Sequence, residues 1–280
     1  MLPTEIVEFI TQQWGCKDPY CKLDFSRNQW EQWSHLAYTD VTKDRGRDSC
    51  TSSPFCIRLV GQSGSGKTSQ LLPAMRYALE GQSYISLAVR FFAKYHPYLE
   101  KIKELYGEKQ IREKTNAFAL ILLTLVLQRC LENKLPVLLE MTLLTADYER
   151  FVYKLLRDNG YFCDYHCLAV SKAISDAWIQ QRCKETQREV SEKSSRFFFE
   201  TLQPAFEMLQ KETNKIPNRV FIWNHTQELP IISSFEDKNL WKLFYDAQRS
   251  TAPLLSLEQG LATKKTFMRD FYSKNMFSRK

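Results

Sequence analysis

Gly61 to Thr68 reads GQSGSGKT, a complete match to the pattern G-x-x-x-x-G-K-[ST]. No other stretch narrows the fold as far, because this pattern does its work only between the end of a strand and the start of a helix. The flanks agree. Phe55 to Val60 (FCIRLV) is a short apolar run that ends in glycine, as a buried strand should, and a helical pattern runs from about Thr68 to Leu79. Glycines at 61, 64 and 66 let the chain curl so that successive N–H groups point inward at phosphate oxygens. The following helix adds a favourable dipole. Lys67 is placed to neutralise the β- and γ-phosphates, and the Thr68 hydroxyl to ligate magnesium. The expected nucleotide triphosphate site is therefore Gly61, Gln62, Ser63, Gly64, Ser65, Gly66, Lys67, Thr68 and Ser69, with Thr68 as the Mg2+ ligand. The plainer reading, a glycine-rich turn with an exposed lysine, leaves the complete pattern and both flanks to coincidence.

Further strands are expected at Tyr84–Val89 (YISLAV), Pro136–Glu140 (PVLLE), within Tyr161–Val170 and at Arg219–Asn224 (RVFIWN). Helical patterns lie between them: Asn116–Asn133, apolar nearly all round, then Ser175 to about Arg188, and Ser195–Lys211. Strands alternating with helices predict an α/β fold, a parallel sheet covered on both faces. The chain divides into an N-terminal helical and loop extension (1–53), a P-loop domain (54–250) and a basic C-terminal helix (251–280). At 44% hydrophobic and 25% charged residues, wholesale disorder is excluded. The longest nearly unbroken apolar run, Ala117–Leu127, is too short to span a membrane, and no secretory signal opens the sequence. A cytoplasmic location and reduced thiols at the eight cysteines are the expectation. No paired CxxC knuckles exist to build a zinc site.

The net charge of +7 is concentrated at the C-terminus, where Lys264, Lys265, Arg269, Lys274, Arg279 and Lys280 face Asp270 alone. Such a tail could serve a nucleic-acid kinase, which salt-dependent oligonucleotide binding would reveal. Phe267, Phe271 and Tyr272 instead fall at roughly helical spacing, which predicts a docked helix with a solvated basic face and no nucleic-acid partner.

The phosphate loop alone does not separate hydrolysis from phosphoryl transfer. Motifs of the larger P-loop classes are missing: no NKxD, no LSGGQ and no hhhhDE ending a strand. The carboxylate that ends the third strand is Glu140, in LLEMT. That arrangement suits a small-molecule kinase with a nucleoside-kinase-like P-loop fold.

At this point the sequence resembles the zeta toxin family, the phosphotransferase half of bacterial toxin–antitoxin pairs. The resemblance runs through GQSGSGKTS, then His96-Pro97 in KYHPYLEKI, TNAFA (Thr115–Ala119), LLEMTLLTAD (Leu138–Asp147) and LLRDNGYFCDYHCLAVSKAIS (Leu155–Ser175), from about Phe55 to Asn224. It implies ATP and Mg2+ as cofactors, phosphorylation of UDP-N-acetylglucosamine on a sugar hydroxyl with blocked cell-wall synthesis, and an antitoxin partner. The tryptophans from Trp14 to Trp33 offer a docking surface for such a partner, or simply pack on the core.

By the same resemblance, Glu140 and Thr142 match a substrate-side Glu and Thr, with Met141 where the family has glycine. Arg182 matches a γ-phosphate arginine and Arg188 the second, with Arg196 as fallback. The plainer reading of these arginines is surface pairing with Glu185 and Glu189. Arg182 and Arg188 point about 120° apart on one continuous helix, so the helix must break for both to reach one phosphate. The main departure is Arg90, which stands where the family carries its catalytic aspartate, and arginine stays protonated and cannot act as a base. Three readings follow: Glu140 serves as the base; the acceptor differs and Arg90 contacts its phosphate or carboxylate; or the chain binds nucleotide without transferring phosphate. His96 is a further substrate-side candidate, set against a histidine that caps or packs at a helix start. Among enzymes, the alternative is a kinase of another nucleotide or a dinucleotide.

Overall fold

The computed structural model describes residues 7–8, 10–12, 18–43, 54–142, 145–186, 190, 192–212, 218–226, 229–250 and 253–275. Its centre is a six-stranded sheet built from β1 (Phe55–Val60), β2 (Ile85–Ala88), β3 (Val137–Glu140), β4 (Phe162–Leu168), β5 (Asn218–Trp223) and β6 (Ile231–Ser233), in the order β2-β3-β1-β4-β5-β6. The first five run parallel, as the alternating pattern predicts. The short β6 pairs antiparallel with β5 and was not expected. The connection from β1 runs past β3 to β2, while that from β3 crosses β1 to reach β4, so the winding reverses beside β1. That is the switch point at which open α/β sheets bind ligands, outside the carboxyl ends of their strands.

The helices are α1 (Arg27–Thr42), α2 (Leu72–Ala78), α3 (Leu99–Tyr106), α4 (Ile111–Glu132), α5 (Ala146–Asp158), α6 (Lys172–Thr186), α7 (Glu192–Glu200), α8 (Leu202–Glu212), α9 (Leu240–Gln248) and α10 (Leu257–Asn275). The period-two alternation of β1 divides them between two faces. Ile57 and Leu59 point to a layer made by α2 and α10, with Met75, Met268 and Tyr272 buried there. Cys56 and Val60 point to the larger layer of α4, α5 and α8, with Leu123, Leu156 and Phe206. Cys163 and Cys167 share that second face, and the six described cysteines are free thiols.

Helix α4 and the turn before it (Glu108–Glu132) are long and apolar enough to cross a membrane by length and composition, which the count of unbroken apolar residues did not show. Most of that stretch is buried inside the fold, where it forms the central helix of the larger layer. Helix α1 starts at a capping box, Ser26 with Gln29, and lays Trp30 and Trp33 against Phe118 of α4, with centroids 5.0 and 5.3 Å apart. These two tryptophans therefore pack on the core; Trp14 lies outside the described residues. The expected helix over Ser195–Lys211 is two helices, broken at Thr201.

Two buried polar constellations cross the layers. Arg58 of β1 meets Glu149 of α5 at 2.7 Å, both fully buried, with the guanidinium 5.2 Å above the Tyr165 ring. On the other face, Trp223 Nε1 donates to His166 Nδ1, so His166 carries its proton on Nε2 and faces the Tyr272 hydroxyl at 2.8 Å. Tyr272 donates onward to Asp164, which also holds a two-pronged pair with Arg219. This chain ties α10 to the sheet. The expected solvated basic face of α10 holds for Lys265 and Arg269, which lie over Tyr77. It fails for Lys264, which is buried 5.4 Å from the Trp223 ring.

Candidate active site

All five parallel strands end at one edge of the sheet, and the predicted loop residues lie there. Gly64 and Gly66 sit in the left-handed region, at φ 77° and 95°. A Cβ on Gly64 would lie 2.4 Å from the Ser175 carbonyl oxygen, and one on Gly66 3.2 Å from the His225 ring. Neighbouring elements brace the loop from outside: Gln62 donates to the Val170 carbonyl, and Ser175 of α6 donates to the Ser63 carbonyl. The Ser63 and Ser65 hydroxyls are buried without a protein hydrogen-bond partner. The chain leaves the loop through a π-wound turn, Lys67–Leu71, with Pro73 in the first turn of α2, where its missing N–H costs little.

Lys67 turns back over the loop and donates to the Gly61 and Gln62 carbonyls at 2.6 and 2.8 Å. Burial pushes its ammonium down to about 7; Glu140 opposes that shift, while the positive charges of Arg112, Arg182 and Arg90 add to it. Positive charge from three arginines is thus felt at Lys67 beside a glycine cradle, and an anion of high charge bound there relieves that repulsion. A triphosphate fits.

The parallel register of β1 and β3 pairs Leu59 with Glu140, which carries that carboxylate to the mouth of the loop. Thr68 Oγ1 donates to Glu140 Oε1 at 2.5 Å, and Arg90 forms an ion pair with Oε2 at 2.8 Å. Burial alone would raise the Glu140 pKa; the Arg90 guanidinium and the Thr68 hydroxyl outweigh it and hold the carboxyl below its ordinary value. Thr68 and Glu140 together are the hard oxygen ligands magnesium takes. Thr142 follows, half-buried, as the chain leaves the strand, and Ser69 is exposed at the start of the helical turn.

The other expected site residues are less closely gathered. Arg182 lies on α6, half-buried, and its charge is felt at Lys67. Arg188 lies outside the described residues; α6 runs to Thr186 and α7 begins at Glu192. Arg196, the fallback, pairs with Glu192 at 3.1 Å on the surface. His96 is buried, accepts from the Tyr98 N–H through Nδ1 and lies edge-on to Phe118, 4.7 Å between centroids; burial pushes its pKa down to about 4. Those are the contacts of a capping and packing histidine. Two residues were missed. Arg112, on the first turn of α4, carried no motif of its own. His225, two residues beyond β5, contacts the Ser65 carbonyl through Nε2 at 2.8 Å and stands edge-on to Trp178. A histidine just after a buried strand was the only signal for it. Among the described residues no cluster of three metal-ligating side chains occurs.

A family model described as Zeta toxin matches residues 39–237, more than two thirds of the chain. The chain belongs to the zeta toxin family. This zeta toxin family member has the fold of a chain in the PezAT chromosomal toxin–antitoxin system of Streptococcus pneumoniae, at 18% identity and TM-score 0.65, covering 90% of this chain and 98% of that one. It is also similar to a chain in the AvrRxo1-ORF1:-ORF2 crystal structure with ATP, at 14% identity and TM-score 0.53, covering 97% and 91%. A crystal structure of the same pair with sulphate ions gives 13% identity and TM-score 0.52, over the same shares. No curated protein matches the sequence. The family and its neighbours give this chain a P-loop, zeta toxin-like kinase fold; the family match extends beyond the motif-bearing stretch, to include the end of α1 and β6.

Proposed function

We propose that this zeta toxin family member is an ATP- and Mg2+-dependent phosphotransferase whose acceptor is a hydroxyl of a nucleotide sugar or a related nucleotide. The observation that carries the reading is the glycine loop at the carboxyl edge of the sheet, with Lys67 folded over it and Thr68 bonded to Glu140, where the charges of Arg90, Arg112 and Arg182 are also felt by Lys67. A site for hydrolysis or transfer needs positive charge where the γ-phosphoryl passes, and a carboxylate at the metal and the nucleophile.

In this proposal the loop amides and Lys67 hold the β- and γ-phosphates, and Arg182 with Arg188 flanks the γ-phosphate. Thr68 and Glu140 would hold magnesium, which would supply positive charge against the phosphate oxygens. The acceptor hydroxyl lies on the Glu140 and Thr142 side and bonds to the γ-phosphorus as the bond from that phosphorus to the β,γ-bridging oxygen breaks. The hydroxyl proton passes to Glu140 Oε2, leaving ADP and a phosphorylated acceptor. Residues 54–250 carry this chemistry, with 1–53 and 251–280 as appended elements. The AvrRxo1-ORF1:-ORF2 structure with ATP supports ATP as the donor, and the PezAT toxin–antitoxin neighbour supports an antitoxin partner. UDP-N-acetylglucosamine, with blocked cell-wall synthesis in the cytoplasm, is the first acceptor to test.

One observation favours a second reading. Glu140 is hydrogen-bonded to Thr68 through Oε1 and ion-paired with Arg90 at Oε2, though Oε2 accepts no hydrogen bond, and a carboxylate so paired suits a binding protein that has lost catalysis. Mass spectrometry of UDP-N-acetylglucosamine after incubation with the protein, ATP and Mg2+ separates the two. A singly phosphorylated product that is absent with Lys67→Ala supports the kinase. Unchanged acceptor across a panel of nucleotide sugars, nucleotides and dinucleotides, with ATP still bound, supports the binding protein.

A further inference from the structure

A cavity of about 370 Å3 lies between the end of α1 and the turn that follows β2, and Arg90 links it to Glu140 and so to the phosphate loop. It is large enough for a small ligand. Its walls bring Lys43, Arg90 and Lys94 together with the rings of Phe91 and Tyr95. The one carboxylate in the wall, Asp40, is already held by the Tyr95 hydroxyl at 2.6 Å and by Lys94 at 3.0 Å. Lys94 is paired with Asp40 and Arg90 with Glu140 behind the wall, so with Lys43 the cavity keeps one net positive charge. Arg90 belongs to two places at once. From the cavity wall, with its side chain 37% exposed, it reaches Glu140, whose side chain is 5% exposed.

An arginine so placed has a choice of partners. Its present one is a buried carboxylate that already shares its other oxygen with Thr68. A phosphate entering the cavity offers the same guanidinium a two-pronged partner of higher charge, with Lys43 and Lys94 to help.

We propose that Arg90 is a latch: it holds Glu140 Oε2 until an anionic, ring-bearing acceptor of the nucleotide class enters this cavity and draws the guanidinium away. The inference rests on the kinase reading for what Glu140 then does, and deepens it by naming how the acceptor opens the site. With Arg90 withdrawn, Oε2 faces the acceptor hydroxyl while Oε1 stays with Thr68. One carboxylate thereby serves both the metal and the proton. The anion that releases the latch is carried by the molecule to be phosphorylated, so a water molecule entering alone leaves Glu140 clamped and ATP is spared.

The test is a binding cycle that needs no turnover. The protein is saturated with Mg2+ and a non-hydrolysable ATP analogue, and UDP is titrated in by calorimetry, with uridine as the uncharged counterpart. The latch predicts that UDP binds, that Arg90→Ala weakens it at least tenfold, and that Arg90→Lys falls between. Glu140→Gln, by freeing Arg90, tightens UDP at least threefold, and that gain disappears in the Arg90→Ala/Glu140→Gln double variant. Uridine is indifferent to all four variants. Absence of UDP binding to the wild type overturns the latch. So does a Glu140→Gln gain of equal size in both backgrounds, which marks simple charge repulsion. The kinase reading fails separately: the cycle can hold while no phosphate leaves ATP, and phosphate can move while the cycle shows no coupling.

Discussion

Gly64→Ala is the sharpest perturbation of the loop, because its cost is set by two distances. The alanine Cβ would stand 2.4 Å from the Ser175 carbonyl oxygen and 2.8 Å from Ile179 Cγ1, the first of these 1.0 Å inside the shortest ordinary contact of 3.4 Å. The clashing oxygen is backbone of α6, so no rotamer relieves it and the loop must lift. Lifting also strains the bond from Ser175 to the Ser63 carbonyl, worth about 1 kcal/mol net. Holding an L-residue at φ 77° adds roughly 1–2 kcal/mol. About 2–3 kcal/mol then opposes the phosphate-binding shape, which weakens ATP roughly 30- to 150-fold. Gly81→Ala supplies the control, since Gly81 has φ 78° and nothing within 4 Å of its added Cβ. It pays the backbone term in stability and leaves ATP affinity alone. Calorimetric titration of both variants with ATP and Mg2+, alongside urea denaturation, gives the comparison. Gly64→Ala binding ATP within about threefold of wild type refutes the reasoning.

Three other outcomes are expected. Arg58→Met, which strands the buried Glu149 carboxylate, costs about 3–5 kcal/mol in urea denaturation, and Arg58→Met/Glu149→Leu recovers most of it. His225→Ala removes a brace on the Ser65 carbonyl, so KM for ATP rises about fivefold to tenfold with kcat nearly kept, and His225→Gln restores part of the loss in steady-state kinetics. Burial pushes the Lys264 ammonium down to about 8, below its unfolded value of about 10.4, so the folded state binds fewer protons between those pH values. Stability relative to Lys264→Met therefore improves as pH rises from 8 toward 10, and below 8 the penalty is present in full; melting temperatures of the pair across that range show it.

The sheet was readable because each parallel strand is a short apolar run closed by a turn, and the phosphate loop because its glycines answer a local backbone need. Strand β6 escaped notice, since three residues with one exposed face carry little pattern. The break between α7 and α8 was hidden for a similar reason: apolar residues continue across Thr201, and Pro204 sits in the first turn of the second helix, where proline is tolerated. What stayed hidden in the site was tertiary. His225 comes to the loop from about 160 residues away in sequence, and the charge of Arg112, about 45 residues on, is felt at Lys67; neither lies in a motif. Arg90 stood out only as an ill-fitting residue; its partner, Glu140, is named by the β2–β3 register that pairs Ala88 with Glu140. Lys264 looked like any tail lysine until α10 packed against Trp223.

The claim at the centre of this account is that the loop delivers a γ-phosphoryl group to an acceptor hydroxyl with Glu140 beside it. Phosphorus NMR of the protein with ATP, Mg2+ and UDP-N-acetylglucosamine measures this most directly, run in parallel with Lys67→Ala and Glu140→Gln. The account predicts a new phosphomonoester resonance that grows as ADP appears, vanishes with Lys67→Ala and slows by orders of magnitude with Glu140→Gln. ADP appearing together with inorganic phosphate alone, or a phosphomonoester formed equally fast by Glu140→Gln, contradicts it.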